Sequence, residues 1–273
     1  MPVRVVTDST ADLPAEVTRQ WGITVVPLTV HFGQETYRNG VDITPDEFYR
    51  RLAAAPKLPT TAQPPVGAFV ETYKALALGT EGILSIHISA KLSGTYNSAL
   101  GAKEEVKGLC PIEVVDSLQG SLGLGLVALA AARAAQAGKP LGEVAAEARR
   151  ASGQTLDTLE YLAKGGRIGK AQAFLGSLLN IKPIVGLEEG ETHPFERVRS
   201  RRRALERLAQ MARDLAPLQE AWVVHATTPD DARDLAERIK TLVPTGEVPI
   251  GRLGPVVGTY LGPGALGLAL RRA

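Results

Sequence analysis

Four short segments of this 273-residue chain place hydroxyls and small residues immediately before stretches of helical period: Ser9-Thr10, Thr60-Thr61, Ser93-Gly94-Thr95 and Asp116-Ser117. Such turns suit the binding of an anion. The first N–H groups of a helix lack an intrahelical acceptor and the peptide dipoles add partial positive charge at that end, so a carboxylate or phosphate is stabilised there. A hydroxyl adds one more donor. Each of these residues is equally suited to capping its own helix. What four turns add is convergence, because in an open α/β sheet the turns leaving the carboxyl ends of the strands lie side by side.

Covalent chemistry is a second reading of the same residues. Ser93 as the nucleophile of an acyl hydrolase needs a histidine base, yet no Gly-x-Ser-x-Gly elbow surrounds it and the histidines are scattered at His31, His87, His193 and His225. His87 falls in a strand and reads as a satisfied core residue, while His225 ends a strand. Asp8, with Asp12 four residues on, is the acid a phosphotransferase would use, and the same pair fits a turn residue and a helix start. The cluster Arg197, Arg199, Arg201, Arg202, Arg203 is the strongly basic segment, suited to an anion or to the partner of a regulatory or scaffold protein. With only Phe195 nearby for stacking, it does not read as a nucleic-acid site.

Cofactor motifs are missing. Leu122-Gly123-Leu124-Gly125 has no third glycine at the dinucleotide offset, and Lys164-Gly165-Gly166-Arg167 has neither the glycine spacing nor the hydroxyl of a phosphate loop. No cofactor and no metal are expected.

The elements that must position the four turns follow one rhythm, in which a short β-branched run leads through a turn to an Ala/Leu-rich helix. Residues 3–6, 83–88 and 112–115 read as strands. Helices are expected near Pro14, after Pro64-Pro65 (where Val66, Phe69, Val70, Tyr73 and Leu76 keep helical spacing), after residues 95–98, and over residues 121–137. Residues 24–32, broken by Pro27 and followed by Gly33 and Asn39-Gly40, read as a hairpin excursion. The pattern then changes near residues 151–155. Residues 182–188 and 192–200, joined by Glu189-Gly190, predict a β-hairpin, followed by a helix over 201–215, a strand over 221–225, a helix opened by Thr228-Pro229, a strand over 248–252 and a closing helix after Gly262-Pro263-Gly264. The expectation is two domains, residues 1–152 with a mostly parallel α/β sheet and residues 153–273 of α+β type.

Composition narrows the setting. Hydrophobic residues at 44% suffice for cores of this size, and 31 basic against 29 acidic side chains leave a formal charge of +2, too balanced for general polyanion binding. The single cysteine, Cys110, excludes an intramolecular disulfide framework and a cysteine-based zinc site, and implies a cytoplasmic setting. The amino terminus lacks an apolar run of secretory length, and residues 122–132 fall short of a membrane span.

Read together, the turns resemble a known family. Val6-Thr7-Asp8-Ser9-Thr10-Ala11-Asp12-Leu13, Thr61-Ala62-Gln63-Pro64, Leu92-Ser93-Gly94-Thr95-Tyr96-Asn97-Ser98-Ala99 and Val115-Asp116-Ser117 resemble the bacterial DegV family in order and spacing. So do Leu159-Glu160-Tyr161-Leu162-Ala163-Lys164-Gly165-Gly166-Arg167-Ile168, Leu179-Asn180-Ile181-Lys182-Pro183-Ile184, Val198-Arg199-Ser200 and Gly262-Pro263-Gly264-Ala265. The resemblance implies a two-domain α/β protein that is not an enzyme and binds a long-chain fatty acid, such as palmitate, in a tunnel between its domains. It further implies presentation of the carboxylate to a separate ATP-binding fatty acid kinase subunit. By this resemblance Thr61, Ser93 and Gly94 hold the carboxylate, and Arg167, Arg199 and Ser9 make head-group or partner contacts; an acyl tail also needs an apolar lining, for which Phe174, Leu175, Leu178, Leu179 and Ile181 are the candidate wall, equally suited to ordinary core. Two departures stand out: Ala62 replaces a serine of the family pattern, and Tyr260-Leu261 stands where kinase-coupled members carry a histidine before Gly-Pro-Gly.

Overall fold

The computed structural model describes residues 2–151, 154–158, 166, 167, 169–171 and 182–272. Its first sheet grows from the β-branched runs. β1 (Arg4–Asp8), β2 (Ile23–Val26), β6 (Ile83–His87) and β7 (Ile112–Asp116) pair in parallel in the order β2-β1-β6-β7. Every residue of β6 is buried, as expected of a central strand covered on both faces. One face carries α3 (Val66–Ala77) and α4 (Thr95–Glu105), which set Phe69, Tyr73, Ala99 and Ala102 against Val6, Ile83 and Val114. The other carries α5 (Ser121–Gln136) and α6 (Leu141–Arg150), while α1 (Ala15–Gln20) joins β1 to β2.

Pro27 marks a change of sheet. Beyond it β3 (Thr29–Phe32) pairs antiparallel with β4 (Glu35–Arg38) and with β5 (Thr60–Ala62), in the order β4-β3-β5. The expected hairpin turns at Gly33, and the Asn39-Gly40 segment leads on to α2 (Pro45–Ala54), which Thr44 caps by accepting the Glu47 N–H.

The larger sheet comprises β8 (Gln154–Thr158), β9 (Lys182–Glu188), β10 (Glu191–Val198), β11 (Leu218–His225), β12 (Ile250–Arg252) and β13 (Leu266–Arg272) in the order β10-β9-β8-β13-β11-β12. β11 and β12 run parallel, and the remaining pairs antiparallel. Its outer face packs under α7 (Arg201–Asp214) and α8 (Pro229–Ile239), where Leu205, Leu208, Leu235 and Ile239 meet Ile184, Val223 and Leu268. Its inner face sets Trp222, Val224 and Ala269 in the same core as α5. Helix α5 therefore packs between the two sheets, touching β1 and β6 on one side and β13 and β8 on the other. This accounts for its being apolar all round. Among the described residues no helix is long and apolar enough to cross a membrane.

Two expectations are corrected: Thr60-Thr61, expected in a turn, lies within the strand β5, which pairs with β3 and not with the parallel sheet, and the expected closing helix is a strand. The segment after Gly262-Pro263-Gly264 is the strand β13, and the helix of this region is α9 (Pro255–Leu261), which precedes those residues. Leu266-Gly267-Leu268-Ala269-Leu270 alternates large and small residues with a period of two, sending its leucines under α7 and α8 and Ala269 onto α5. That is a strand pattern.

Candidate functional site

The turn after β1 is built by Asp8. Its Oδ1 accepts the Thr10 backbone N–H at 3.0 Å and the Thr10 hydroxyl at 2.5 Å, while Oδ2 accepts the Ile88 N–H at 3.0 Å and lies 3.0 Å from His87 Nδ1. From His87 the chain of contacts continues through Nε2 to Ser85 Oγ at 2.7 Å, which also accepts the Tyr73 hydroxyl at 2.8 Å. Burial pushes the Tyr73 phenol up to about 12. The sequence Asp8, His87, Ser85 has the connectivity of an acid, base and nucleophile. All three are sealed from solvent, so the network fastens the β1 turn to the end of β6 and gives no substrate access to Ser85.

Thr10 and Ile88, the residues this network sets in place, face a cavity of about 380 Å³. That volume lies within the range of small-molecule sites. Most of its wall is apolar, from Leu28, Ile88, Val185, Leu187, Val256 and Leu261. Both large segments of the fold contribute: Val185 and Leu187 come from the β9–β10 hairpin, whose tip docks through the Ser89 hydroxyl donating to the Gly190 carbonyl at 2.7 Å.

Polar groups gather where Thr61, Ser93, Gly94, Arg167 and Tyr260 meet the cavity. Thr61 Oγ1 and the Tyr260 hydroxyl are 2.6 Å apart, and the Arg167 guanidinium stands 4.8 Å over the Tyr260 ring. Ser93 Oγ lies 2.9 Å from Thr95 Oγ1 and accepts the Thr95 N–H at 3.3 Å, so its partner is a hydroxyl and not a histidine. Gly94, just before α4, leaves room for the Gln63 side chain: a Cβ there would fall 2.1 Å from Gln63 Oε1, whose amide donates to Ser98 at 3.0 Å. Ser93, Gly94 and Arg167 also border an adjoining cleft lined by Lys91, Lys170 and Glu191, in which each lysine ammonium is 3.6 Å from the Glu191 carboxylate.

Of the residues proposed from sequence, Thr61, Ser93, Gly94 and Arg167 come together at this polar end. Two do not. Ser9 is displaced by one position from the residue that faces the cavity, because its hydroxyl accepts the Leu28 N–H and the Asn39 amide, both at 3.0 Å, and holds the β2–β3 connection. Arg199 lies instead in a groove beside β10 with Arg197, Arg203 and Arg207. In the same basic cluster Arg201 is structural, since its guanidinium reaches Asp231, the Thr228 hydroxyl and the Gly264 carbonyl. Phe174, Leu175, Leu178, Leu179 and Ile181 lie outside the described residues. Asp8 does not line the cavity, nor does His225, whose buried Nδ1 has no hydrogen-bond partner among the described residues. Burial and the nearby Arg252 and Arg233 hold that imidazole down at about 4.

Two contributors, Tyr260 and Asp12, are conspicuous in the sequence, but nothing there gives either a part in holding the carboxylate. Tyr260 is a phenol in the short helix α9 just before Gly262-Pro263-Gly264, and it meets Thr61 across 199 positions. Asp12 reaches the same wall from behind. Its carboxyl accepts the Ser121 hydroxyl at 2.7 Å and the Gly254 N–H at 3.0 Å, and burial, outweighing these two hydrogen bonds, pushes it up to about 7 with a smaller push from Asp8. Among the described residues no group of three His, Cys, Asp or Glu side chains is placed to hold a metal ion.

Comparison with known proteins gives one answer throughout. A family model described as "Uncharacterised protein, DegV family" matches residues 2–273. The DegV domain-containing protein SCO2569 of Streptomyces coelicolor is 41% identical over 278 aligned positions, covering 98% of each chain. Among solved structures, that of fatty acid binding by a DegV family protein from Thermus thermophilus superposes with a TM-score of 0.92 at 35% identity, over 99% of both chains. The structure of DegV, a fatty acid binding protein from Bacillus subtilis, superposes with a TM-score of 0.88 at 34% identity, again over 99% of both. With the parallel sheet, the hydroxyl-bearing turns and the family match agreeing over the whole described fold, the chain belongs to the DegV family.

Proposed function

We propose that this protein is a non-enzymatic, cytoplasmic carrier that binds a long-chain fatty acid such as palmitate in the cavity. The carboxylate is held by the Thr61 and Ser93 hydroxyls and the backbone at Gly94, with Arg167 supplying positive charge, and the chain lies along the apolar wall. The observation that carries this reading is the pairing of hydroxyls at one end of an otherwise apolar chamber. Thr61 with Tyr260, and Ser93 with Thr95, each form a pair in which one hydroxyl proton is used internally and one is left to donate. Two spare protons match the two oxygens of a carboxylate. The fatty acids bound by the solved relatives support the same ligand class. The cavity then lies between two domains, residues 1–152 and 153–273, and the cleft beside Ser93 is where a separate kinase subunit reaches the carboxylate.

The test is mass spectrometry of the purified protein after denaturing extraction, followed by titration of the delipidated chain with palmitate. One equivalent of fatty acid, recovered or rebound, is the expected result. A protein that neither carries nor accepts a fatty acid refutes the reading. Production of acyl phosphate on addition of a kinase subunit and ATP tests the presentation step separately.

A further inference from the structure

The wall that carries Tyr260 hangs from a residue that does not line the cavity. Asp12 follows the short 3-10 turn Ser9–Ala11 with φ at 51°, and Ser121, the first residue of α5, has φ at 48°. Non-glycine residues in this left-handed region are strained and persist where the surroundings over-determine them. Here the determinant is the Asp12 carboxyl: one oxygen takes the hydroxyl of Ser121, which lines the cavity, and the other takes the N–H of Gly254, the residue that caps α9. No side chain within α9 caps its start. A second tether, the Tyr49 hydroxyl donating to the Leu253 carbonyl at 3.2 Å, holds the preceding residue. Val256, Tyr260 and Leu261 of that one short helix all face the cavity.

We propose that Asp12 is a positioning residue for the lipid cavity: by joining Ser121 to Gly254 it fixes α9, keeps the Tyr260 hydroxyl opposite Thr61, and so sets the affinity for the fatty-acid head group without touching it. The proposal rests on the fatty-acid reading. The burial of Ser121 and Gly254 supports it, because donors released there by loss of Asp12 would not be re-paired by water without cost.

The test uses the delipidated full chain and a fluorescent fatty acid, cis-parinaric acid. Asp12→Ala weakens binding by roughly tenfold or more, whereas Asp12→Asn, whose carbonyl still accepts from Gly254 and whose amide donates to Ser121, stays within about threefold of the parent. A general loss of stability would not give the next result. The combined Thr61→Val/Tyr260→Phe replacement costs much less affinity in the Asp12→Ala background than in the parent, since neighbours acting through one element are non-additive. Parent-like binding by Asp12→Ala, or fully additive losses, overturns the proposal. If the parent binds no fatty acid, the functional reading fails, and the Asp12 role is decided by hydrogen exchange at residues 254–261. That exchange rises in Asp12→Ala and not in Asp12→Asn if the role is correct, and unchanged exchange overturns it.

Discussion

Removing the Thr61 and Tyr260 hydroxyls one at a time, and then together, tests how this site holds a carboxylate. The two oxygens are 2.6 Å apart in the part-buried head of the cavity, so one proton lies between them and the other is available to the ligand. In Thr61→Val the Tyr260 proton is no longer needed by Thr61 and turns to the carboxylate. In Tyr260→Phe the Thr61 proton does the same. Each single replacement therefore loses a neutral internal hydrogen bond that is made with and without the ligand, costing about 0.5–1.5 kcal/mol of stability, and keeps the charge-assisted one, so the dissociation constant changes little. The double replacement loses the charge-assisted bond as well, worth about 1.5–3 kcal/mol, and the dissociation constant rises ~10-fold to 150-fold. Calorimetric titration of delipidated protein with palmitate, with thermal melting to confirm folding, measures all four corners of the cycle. Two single losses that sum to the double, or a double variant that binds like the parent, would refute the shared-proton arrangement.

Three further outcomes follow from other parts of the structure. A side chain at Gly120 points at Leu187 and Ile88, 3.6 and 3.8 Å from its Cβ, so Gly120→Val fills part of the chamber. At about 0.8 kcal/mol per buried methylene, affinity for a long chain falls while that for a chain two or three carbons shorter changes little; equal losses across chain lengths would contradict this. Because Asp12 holds its proton up to about pH 7 when folded and releases it near pH 4 when unfolded, the folded state carries the extra proton in between. Stability therefore falls as pH rises from 4 to 7, by up to roughly 4 kcal/mol at 1.36 kcal/mol per unit, and denaturant melts should show a flatter profile in Asp12→Asn. Glu220 accepts two hydrogen bonds from Arg133, at 2.6 and 2.9 Å, and one from Arg271 at 3.5 Å. Glu220→Ala removes the acceptor of Arg133, which still reaches solvent, and one of the two carboxylates beside Arg271, and should cost about 1–2 kcal/mol by urea unfolding, an effect under about 0.5 kcal/mol marking the network as unimportant.

The legible parts of the fold are those whose signal is local. Val66, Phe69 and Tyr73 repeat at helical spacing and do form α3, and Glu189-Gly190 between two extended runs does turn a hairpin. β13 was readable too, but only by weighing its alternation of leucine with glycine and alanine above the Gly-Pro-Gly that precedes it. Of the four hydroxyl segments, the turns after β1 and β6 bring Thr10 and Ser93 to the cavity because those strand ends lie side by side, whereas Thr61 arrives on β5 of the separate three-stranded sheet and Asp116-Ser117 do not line the cavity. Which hydroxyl in a turn faces the cavity is another matter: Ser9 and Thr10 are adjacent and similar, and the choice is made by Leu28, Asn39 and Asp8. Tyr260 and Asp12 owe their places to contacts across 199 and 242 positions. Nothing in the spacing of nearby residues encodes them.

Strand order in the larger sheet also bears on how the chain is made. β13 sits between β8 and β11, yet it follows both in the sequence. During synthesis, which proceeds at about 5–20 residues per second, β8 and β11 each present an unpaired edge until residues 266–272 emerge, and the face of α5 destined for β13 stays bare for as long. The nascent chain thus passes through a stage in which the smaller parallel sheet can be complete while the larger one lacks a central strand. Unpaired edges of this kind are templates for pairing with another chain until β13 fills the gap.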